Sequence, residues 1–172
     1  SCSNIHDGNR LKVWGMRGTK RDRETKQDWK IQPADWRDYT QLQHLSKLCF
    51  DSQDLWPFWD LIGTLTLPGL VRLKAVDDGR MVGFLGGERE PSRRRGWITT
   101  LAVLPDYRRQ GIARALLDLG ENHLAMPLIR LSVRASNLPA VRLYESTGYE
   151  VVDQWRRYYA GGEDALVFEK RR

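Results

Sequence analysis

Six consecutive residues, Arg108 to Ala113, combine charge, small size and position in a way that suits binding of a phosphate group. They follow an apolar run and open an amphipathic segment, so their backbone N–H groups stand at a predicted helix start, where the first donors have no partner inside the helix. The positive end of the helix dipole adds to the attraction. Gly111 lets a ligand approach the backbone, Ala113 keeps the first turn narrow, and the two arginines supply bidentate donors. The loop therefore predicts a phosphorylated cofactor.

The segments around this loop alternate between patterns typical of strands and of helices. Strands are predicted at 30–32, 71–75, 81–87, 97–103, 128–133, 149–153 and 165–168, and helices after Asp35, after Asp54, after the loop, and at 139–147. Asp77 to Arg80 predicts a hairpin turn, residues 91–95 a basic surface loop, and Gly148 a left-handed helix stop. The order βααβββαβαββ predicts an α/β (mixed α+β) sandwich around a mixed sheet.

The composition is typical of a globular protein with one domain. The chain has 172 residues, of which 41% are hydrophobic and 29% charged. No apolar run reaches the length of about 18 residues that suggests a transmembrane helix, and the N-terminal residues carry no apolar signal segment. Cys2, Cys49 and three scattered histidines match no disulfide framework and no metal-ligand spacing. These features predict a cytoplasmic protein with no metal and no membrane partner.

Residues 1–28 form a basic, polar extension ahead of the predicted domain at 29–172. They hold seven Lys or Arg and four Asp or Glu, which is half of the net charge of +6. The extension is interpreted either as a solvated tail or as an arm that contacts RNA, a ribosome or an acidic partner. Acidic residues interrupt the basic ones between Lys20 and Glu24, so this segment has no nucleic-acid motif. A cofactor with several phosphates accounts for the local basicity, and no nucleic-acid partner is predicted.

The order of the segments gives the loop a context that resembles a known enzyme family. Residues 108–113 match the R/Q-x-x-G-x-G/A signature, preceded by a strand and followed by a helix, another strand, Asn137 and Tyr144. Over about residues 29–170 the sequence resembles the GNAT superfamily of N-acetyltransferases. The resemblance implies a GNAT-like fold, with a mixed central sheet of about six to seven strands flanked by about four helices.

Three further segments resemble the branch of this family that acetylates protein N-termini, particularly the bacterial ribosomal-protein alanine N-acetyltransferases and their archaeal and eukaryotic relatives. These segments are residues 133–137, 143–149 and 158–165, of which the last is the most branch-specific. The resemblance implies transfer of an acetyl group from acetyl-CoA to a primary amine in a ternary complex, without a metal. The implied acceptor is a protein N-terminus or a small amine, and the enzyme is expected to be a monomer or a homodimer.

The resemblance also implies which residues hold acetyl-CoA. The backbone of three strand residues would bind the pantetheine arm where two strands part, and six loop residues would bind the pyrophosphate. Asn137 would hold the arm from the other side, while Tyr144 would stand beside the sulfur and protonate the departing thiolate, as a phenol with a pKa of about 10 is able to do. The implied residues are Leu101, Ala102, Val103, Arg108, Arg109, Gln110, Gly111, Ile112, Ala113, Asn137 and Tyr144.

Several of these residues also have a purely structural interpretation. Tyr144 falls on the inward face of its helix, where burial in the core is an ordinary role for tyrosine. Asn137 has the side chain of a helix N-cap. Tyr158 and Tyr159 have the β propensity of strand aromatics. In the N-terminal acetyltransferase branch the corresponding pair lies in a loop over the peptide, so the resemblance implies that both tyrosines bind substrate.

One position departs from the pattern of the branch. Where its members have glutamate or histidine as the proposed general base, this chain has Ser132, whose hydroxyl takes no proton unaided at neutral pH. The base is expected to be Glu88 or Tyr107, ahead of Asp51 and Asp54, unless a water chain or an amine deprotonated in solution replaces it. An α-amino group, with a pKa of about 8, demands less of a base than a lysine side chain with a pKa near 10.4.

A second departure is the aromatic segment Leu55 to Trp59, which in the family forms one wall of the acceptor pocket. Trp56 is expected to contact the substrate, whereas Trp59, at helical spacing, is expected in the core. Because one fold supports many functions, three readings stay open. They are acetylation of a protein N-terminus, acetylation of a small amine or a lysine side chain, and non-catalytic binding of acyl-CoA.

Overall fold

A sheet of seven strands forms the centre of the molecule in the computed structural model, which describes residues 28–50 and 58–172. The strands are β1 (Lys30–Pro33), β2 (Val71–Asp77), β3 (Arg80–Glu90), β4 (Arg95–Val103), β5 (Leu128–Arg134), β6 (Glu150–Trp155) and β7 (Ala165–Arg171). The helices are α1 (Tyr39–Cys49), α2 (Phe58–Thr66), α3 (Ile112–Leu124) and α4 (Leu138–Ser146). None of these helices has the length and apolar character that a membrane span requires within the described part of the chain.

The strands lie side by side in the order β1-β2-β3-β4-β5-β7-β6. Every neighbouring pair is antiparallel except β4 and β5, which run parallel. This arrangement confirms the predicted α/β class, the mixed sheet and the number of helices. The extension at 1–27 and the connection at 51–57, with Asp51, Asp54 and Trp56, lie outside the described residues, and so the predicted boundary at Trp29 stays a prediction.

Turn residues adopt the backbone geometry that their types predicted. Asp78 and Gly79 both have positive φ, 44° and 76°, as a two-residue hairpin turn between β2 and β3 requires. Gly148 ends α4 with a φ of 87°. Asp35 caps a 3₁₀ turn at Trp36–Asp38, directly before α1, through a hydrogen bond from the Arg37 backbone N–H.

The prediction of a basic surface loop at 91–95 was wrong in one respect. Pro91–Arg93 form a 3₁₀ turn, but Arg95 already belongs to β4 and lies opposite Glu90 of β3. Its guanidinium Nε donates to Glu90 Oε2 at 2.5 Å and lies over the Trp97 ring. A cross-strand partner and an aromatic neighbour therefore hold this arginine against the sheet, which its position in a run of arginines did not indicate.

Helices cover both faces of the sheet, and their contacts with the strands show which face each strand residue lies on. A Cβ added at Gly83 of β3 would lie 3.1 Å from side-chain carbons of Ile112 and Leu116, so Gly83 faces α3. Side chains alternate along a strand, and Gly86 faces the opposite way, where an added Cβ would lie 3.7 Å from Thr64 of α2. We call these two sides the α3 face and the α1/α2 face.

Strands β4 and β5 pair over only four positions and then separate. The last pair is Ile98 with Leu131. Beyond it, β4 continues along β3 as far as Val103, while β5 continues along β7 as far as Arg134. The sheet therefore opens into a wedge, and the Ile98–Leu131 pair forms its apex.

A β-bulge in β4 explains why the strands part at this point. Ile98 pairs with Gly87 of β3 and Thr100 pairs with Gly86, so Thr99 is an extra residue between two consecutive partners. An extra residue bends its strand and increases the local twist. The bulge follows directly after the apex and turns β4 away from β5.

Candidate active site

The predicted phosphate-binding loop lies beside the wedge, between the end of β4 and the start of α3. Gly111 is the N-cap of α3, with a φ of 84° and no side-chain cap. The first hydrogen bond of the helix is donated by the Ala115 N–H to the Gly111 carbonyl. The N–H groups of the residues between them have no partner within the helix and stay available for a ligand. Arg109 also has positive φ, 65°, which turns the loop backbone outward. This uncapped helix start fits a pyrophosphate.

The side chains of this loop are partly used to hold the loop itself. Arg108 Nε donates to the Val103 carbonyl at 3.2 Å, and the Cys49 thiol donates to the same carbonyl at 3.4 Å. Gln110 Nε2 donates to the Asp106 carbonyl at 3.1 Å. Direct contact of Arg108 and Gln110 with a pyrophosphate stays a prediction. In the structure, both side chains stabilise the loop by donating to its backbone carbonyls. The same loop brings Ile112 into the core and leaves Ala113 half-buried behind it.

The residues predicted to hold the pantetheine arm line the two sides of the wedge. Leu101, Ala102 and Val103 pair with β3 along one edge, which leaves the other edge of β4 facing the opening. Asn137 follows the end of β5 and caps α4, accepting a hydrogen bond from the Ala140 N–H at 3.3 Å. The opening therefore has backbone donors and acceptors on one side and a helix N-terminus on the other.

Tyr144 lies on α4 at the level of the wedge apex. Its ring packs against Phe168 at a centroid distance of 5.7 Å and against Tyr149 at 5.9 Å, and Phe168 pairs with Leu131 of the apex. The residue is 6% exposed, and its hydroxyl makes no hydrogen bond to any described residue. Burial raises the pKa of the Tyr144 phenol, and the Tyr159 phenol raises it further. The hydroxyl is thus a protonated, unengaged donor.

A row of four aromatic rings starts on the α1/α2 face and runs into the β6–β7 loop. Trp97 faces this side because it pairs with Glu88, which lies two residues along β3 from Gly86. The ring centroids of Trp97 and Trp155 are 6.0 Å apart, those of Trp155 and Tyr158 are 5.0 Å apart, and those of Tyr158 and Tyr159 are 5.1 Å apart. We call Trp97, Trp155, Tyr158 and Tyr159 the aromatic row.

The end of this row is anchored by charged residues. Arg134 lies over the Tyr159 ring, with its guanidinium carbon 4.5 Å from the centroid, and it forms an ion pair with Glu163 at 2.9 Å. Glu163 also accepts a hydrogen bond from the Ser136 backbone N–H. Hydrogen bonds from Ser136, followed by those from Arg134, lower the pKa of Glu163 to about 2. This carboxylate ties the β6–β7 loop to the end of β5.

The two residues predicted as the general base, Glu88 and Tyr107, lie in different parts of the structure. Glu88 lies on the α1/α2 face, in the same row as Trp97, and no described residue pairs with its carboxylate. Tyr107 lies near the β2–β3 hairpin and donates to Asp77 Oδ2 at 2.8 Å. That hydrogen bond and partial burial raise the pKa of Tyr107, which keeps the phenol protonated. Ser132 follows Leu131 of the apex and faces the same side as Glu88.

Thr100 belongs to no motif that the sequence analysis singled out, but it carries an unsatisfied polar group near the wedge. It follows the bulge and pairs with Gly86, so it faces the α1/α2 side. The residue is 6% exposed, and its Oγ1 has no hydrogen-bond partner in the described part of the chain. An unsatisfied buried hydroxyl costs about 1–3 kcal/mol. A threonine in a buried strand is common, and only the packing reveals that this one is unpaired.

Known proteins share both the sequence pattern and this geometry. A model described as the acetyltransferase (GNAT) family matches residues 30–149. The N-alpha-acetyltransferase of Saccharolobus solfataricus is 30% identical over 163 residues, which cover 87% of this chain and 96% of that protein. The ribosomal-protein-S18-alanine N-acetyltransferase from Escherichia coli superposes with a TM-score of 0.74 at 26% identity, over 83% of this chain and 93% of that one.

A further solved structure, a NatC complex bound to Gag peptide and CoA, contains a chain that superposes with a TM-score of 0.76 at 22% identity. The match covers 84% of this chain and 99% of that chain.

The chain belongs to the GNAT acetyltransferase family. It is an acetyl-CoA-dependent N-acetyltransferase, as the family and its named relatives indicate.

The residues present fit the acetyl-CoA that a GNAT enzyme uses. The uncapped start of α3 suits the pyrophosphate, and the open edge of β4 suits an extended arm that carries amide groups. Within residues 28–50 and 58–172 no group of three or more His, Cys, Asp or Glu side chains is arranged to hold a metal ion.

We expect Gly111→Ala to weaken CoA binding about tenfold, or about 1.4 kcal/mol. A φ of 84° is strained for alanine, and relief of that strain would move the loop backbone that faces the phosphates. No atom lies within 4 Å of the added methyl, so packing does not contribute. Isothermal titration calorimetry with CoA measures the change.

Gly69→Ala is the matched control for this variant. Gly69 has a φ of 83° and equally open surroundings, but it lies after α2, away from the loop. Both variants should lose similar stability, and the control should keep the CoA affinity of the unmodified protein. Equal CoA affinity in Gly111→Ala and Gly69→Ala would contradict the assignment of the loop.

Proposed function

We propose that this GNAT enzyme acetylates the N-terminal α-amino group of proteins or peptides, by direct transfer from acetyl-CoA in a ternary complex. The observation that carries the proposal is the aromatic row. Its rings start at Trp97 beside the wedge apex and run to Tyr159 in the β6–β7 loop, so they offer an extended surface that leads to the apex, where we place the chemistry. A peptide main chain suits such a surface better than a small amine, which would contact only one or two rings.

The anchoring of the β6–β7 loop supports the same acceptor. Glu163 fixes the loop through Arg134 and Ser136, so Tyr158 and Tyr159 are presented in a defined position. Tyr158 is 56% exposed although it stacks on Trp155, which leaves a ring surface for a partner. Tyrosine rings bind peptide backbone at low entropic cost because they have few rotatable bonds. The names of the relatives, N-alpha-acetyltransferases among them, agree with this choice.

Tyr144 is the proposed general acid. Its hydroxyl has no competing partner among the described residues, and burial raises the pKa of the phenol, so the proton is present at neutral pH. The ring packs at the level of the apex on the α3 face, whereas Ser132 and Thr100 face the opposite side. The proposed acid and the proposed acceptor side therefore lie on opposite faces of the sheet, so the thiolate and the amine would meet different proton-transfer groups.

Glu88 is the proposed base. It lies on the acceptor face beside Trp97, and its carboxylate is not engaged by another described residue. In the transfer, the amine nitrogen bonds to the acetyl carbon and the carbon–sulfur bond breaks. At pH 7 the acceptor enters as an ammonium ion, and Glu88 takes its first proton, directly or through water, and passes it to solvent. Glu88 then takes the second proton, which the nitrogen loses as the amide forms, and the Tyr144 hydroxyl gives its proton to the sulfur. Solvent exchange then restores both groups.

A second candidate function is acetylation of a small amine or a lysine side chain. It is favoured by Ser132, because the position next to the apex on β5 carries a hydroxyl and no carboxylate. Such an enzyme would use Glu88 and Tyr144 in the same roles, with the acceptor bound near Trp97 alone. The third alternative, non-catalytic binding of acyl-CoA, does not apply, because the family and its named relatives identify the chain as an N-acetyltransferase.

A mass-spectrometric acetylation screen decides among these functions. The panel contains peptides with small first residues, the same peptides with blocked N-termini and a free lysine, and polyamines, amino acids and aminoglycosides. We expect acetylation of the free N-termini with small first residues and none of the blocked peptides. Reaction of the small amines while all N-terminal peptides stay unmodified would reject the proposal.

We expect Tyr144→Phe to lower kcat about 100-fold, the ordinary contribution of a general acid. Acetyl-CoA affinity and the free energy of unfolding should change little, because the ring stays and the lost hydroxyl has no partner among the described residues. Steady-state kinetics, calorimetry and denaturant unfolding measure the three quantities.

Tyr149→Phe provides the matched control. Tyr149 packs against the same Tyr144 ring, but its hydroxyl donates to Glu121 Oε1 at 2.9 Å inside the core. Its removal should lower the free energy of unfolding by about 1–3 kcal/mol and leave kcat unchanged. If Tyr144→Phe keeps the full kcat, Tyr144 has no part in the mechanism.

We expect Glu88→Gln to lower kcat/KM about tenfold at pH 7 and much less at pH 9. Above the amine pKa of about 8, the acceptor is already deprotonated and a base has less to do. Glu90→Gln is the control. Glu90 lies on the same face of β3, but its carboxylate forms an ion pair with Arg95, so we do not expect it to take a proton from the acceptor. A uniform loss across the pH range would remove Glu88 from the role of base.

A further inference from the structure

The unpaired hydroxyl of Thr100 belongs to a residue beside the apex of the wedge. Thr100 is the first residue after the Thr99 bulge, close to the apex formed by Ile98 and Leu131. Its Oγ1 is buried and has no hydrogen-bond partner among the described residues. Folding therefore removes this oxygen from water without replacing the lost hydrogen bond, a state that native proteins tolerate at few positions.

The face of the sheet on which Thr100 lies is the acceptor face. Thr100 pairs with Gly86, and a Cβ added at Gly86 would lie 3.7 Å from the side chain of Thr64 in α2. Tyr144, by contrast, packs through Phe168 on the α3 face at the same level of the sheet. The unpaired oxygen and the proposed acid therefore stand on opposite sides of the apex.

The surroundings of Thr100 supply other polar groups that an amine needs. Ser132 lies across the wedge on the same face, at the start of the unpaired part of β5. Glu88 lies two residues from Gly86 on β3, diagonal to Thr100 and on the same face of the sheet. An amine that contacts Thr100 would therefore lie on the same face as the proposed base.

We propose that Thr100 binds the acceptor, its Oγ1 accepting a hydrogen bond from one N–H of the attacking amine. The contact turns the nitrogen lone pair toward the acetyl carbon while the second N–H faces Glu88. This inference rests on the proposed function and deepens it, because it names the group that orients the amine at the same site.

The protons and bonds balance without any change in Thr100 itself. The nitrogen–carbon bond forms and the carbon–sulfur bond breaks. The proton that leaves the nitrogen goes to Glu88, and the sulfur receives a proton from Tyr144. Thr100 keeps its own hydroxyl proton throughout, since a threonine hydroxyl is neither acidic nor basic near neutral pH. Its contribution is orientation, and it does not depend on the first side chain of the acceptor.

The test compares Thr100→Val with Thr100→Ser in the full-length chain. Valine keeps the shape of threonine and removes the hydroxyl, whereas serine keeps the hydroxyl and removes the methyl group. The substrates are peptides that begin with Gly, Ala or Ser, together with any small amine that the acetylation screen finds to react. Steady-state kinetics against pH, acetyl-CoA KM and thermal unfolding are measured for both variants.

We expect Thr100→Val to lower kcat/KM for every amine by about tenfold, the effect of one hydrogen bond of about 1.4 kcal/mol. Thr100→Ser should stay within about threefold of the unmodified enzyme. The acetyl-CoA KM and the midpoint of the pH profile should not move, because Thr100 neither binds CoA nor titrates. The melting temperature of Thr100→Val should be unchanged or higher, since an unpaired buried hydroxyl has been removed.

Three results would overturn the inference. Full activity of Thr100→Val would mean that the hydroxyl does not touch the amine. A loss confined to peptides that begin with Ser would mean that it binds the first side chain. A lower melting temperature with a proportional loss on all substrates, shared by Thr100→Ser, would mean a structural role. If only small amines react, the N-terminal function fails while Thr100 is still judged on those amines, and if no amine reacts, both proposals fail.

Discussion

The separation of two parallel strands is the constraint on which the rest of the structure depends. A continuous sheet has no exposed backbone groups in its interior, since each strand is paired on both sides. Here the Thr99 bulge bends β4 away from β5 directly after the Ile98–Leu131 pair. One edge of β4 then lacks a strand partner while β3 still holds the other. The opening is therefore a rigid slot with unused hydrogen-bonding groups, placed in the middle of an otherwise well-packed sheet.

Several other elements are positioned around this slot. The helix that follows β4 starts beside its mouth, so the uncapped N-terminus of α3 and the open edge of β4 belong to one continuous surface. The helix that follows β5 brings Tyr144 to the apex on the α3 face, where Phe168 and Tyr149 hold the ring. The two faces of the sheet then serve different purposes. One holds the proposed proton donor, Tyr144, in an apolar layer, and the other carries the aromatic rings and polar groups that we propose to bind the acceptor.

The charged residues near the proposed acceptor face mainly hold the β6–β7 loop in position. Arg134 and Glu163 fix the β6–β7 loop, and the pKa of Glu163, lowered to about 2, indicates that its carboxylate stays ionised throughout the physiological range. Stability from this group is therefore present above its ordinary unfolded pKa and is lost only in strong acid. Glu88, for which no described residue supplies an ion pair, is the carboxylate that we propose for proton transfer.

The sequence by itself determined the element order, the hairpin turn at Asp78 and Gly79, the helix stop at Gly148 and the family, and it predicted the phosphate-binding loop. These features depend on local rules, such as glycine at positive φ at Gly111 or alternation along β2, or on a contiguous motif. Only the tertiary structure decided the bulge at Thr99, the partner that engages Tyr107, the aromatic row and the unpaired oxygen of Thr100. Each of these depends on which residues meet across strands distant in the chain, and neither spacing nor composition encodes whether a given hydroxyl finds a partner after packing.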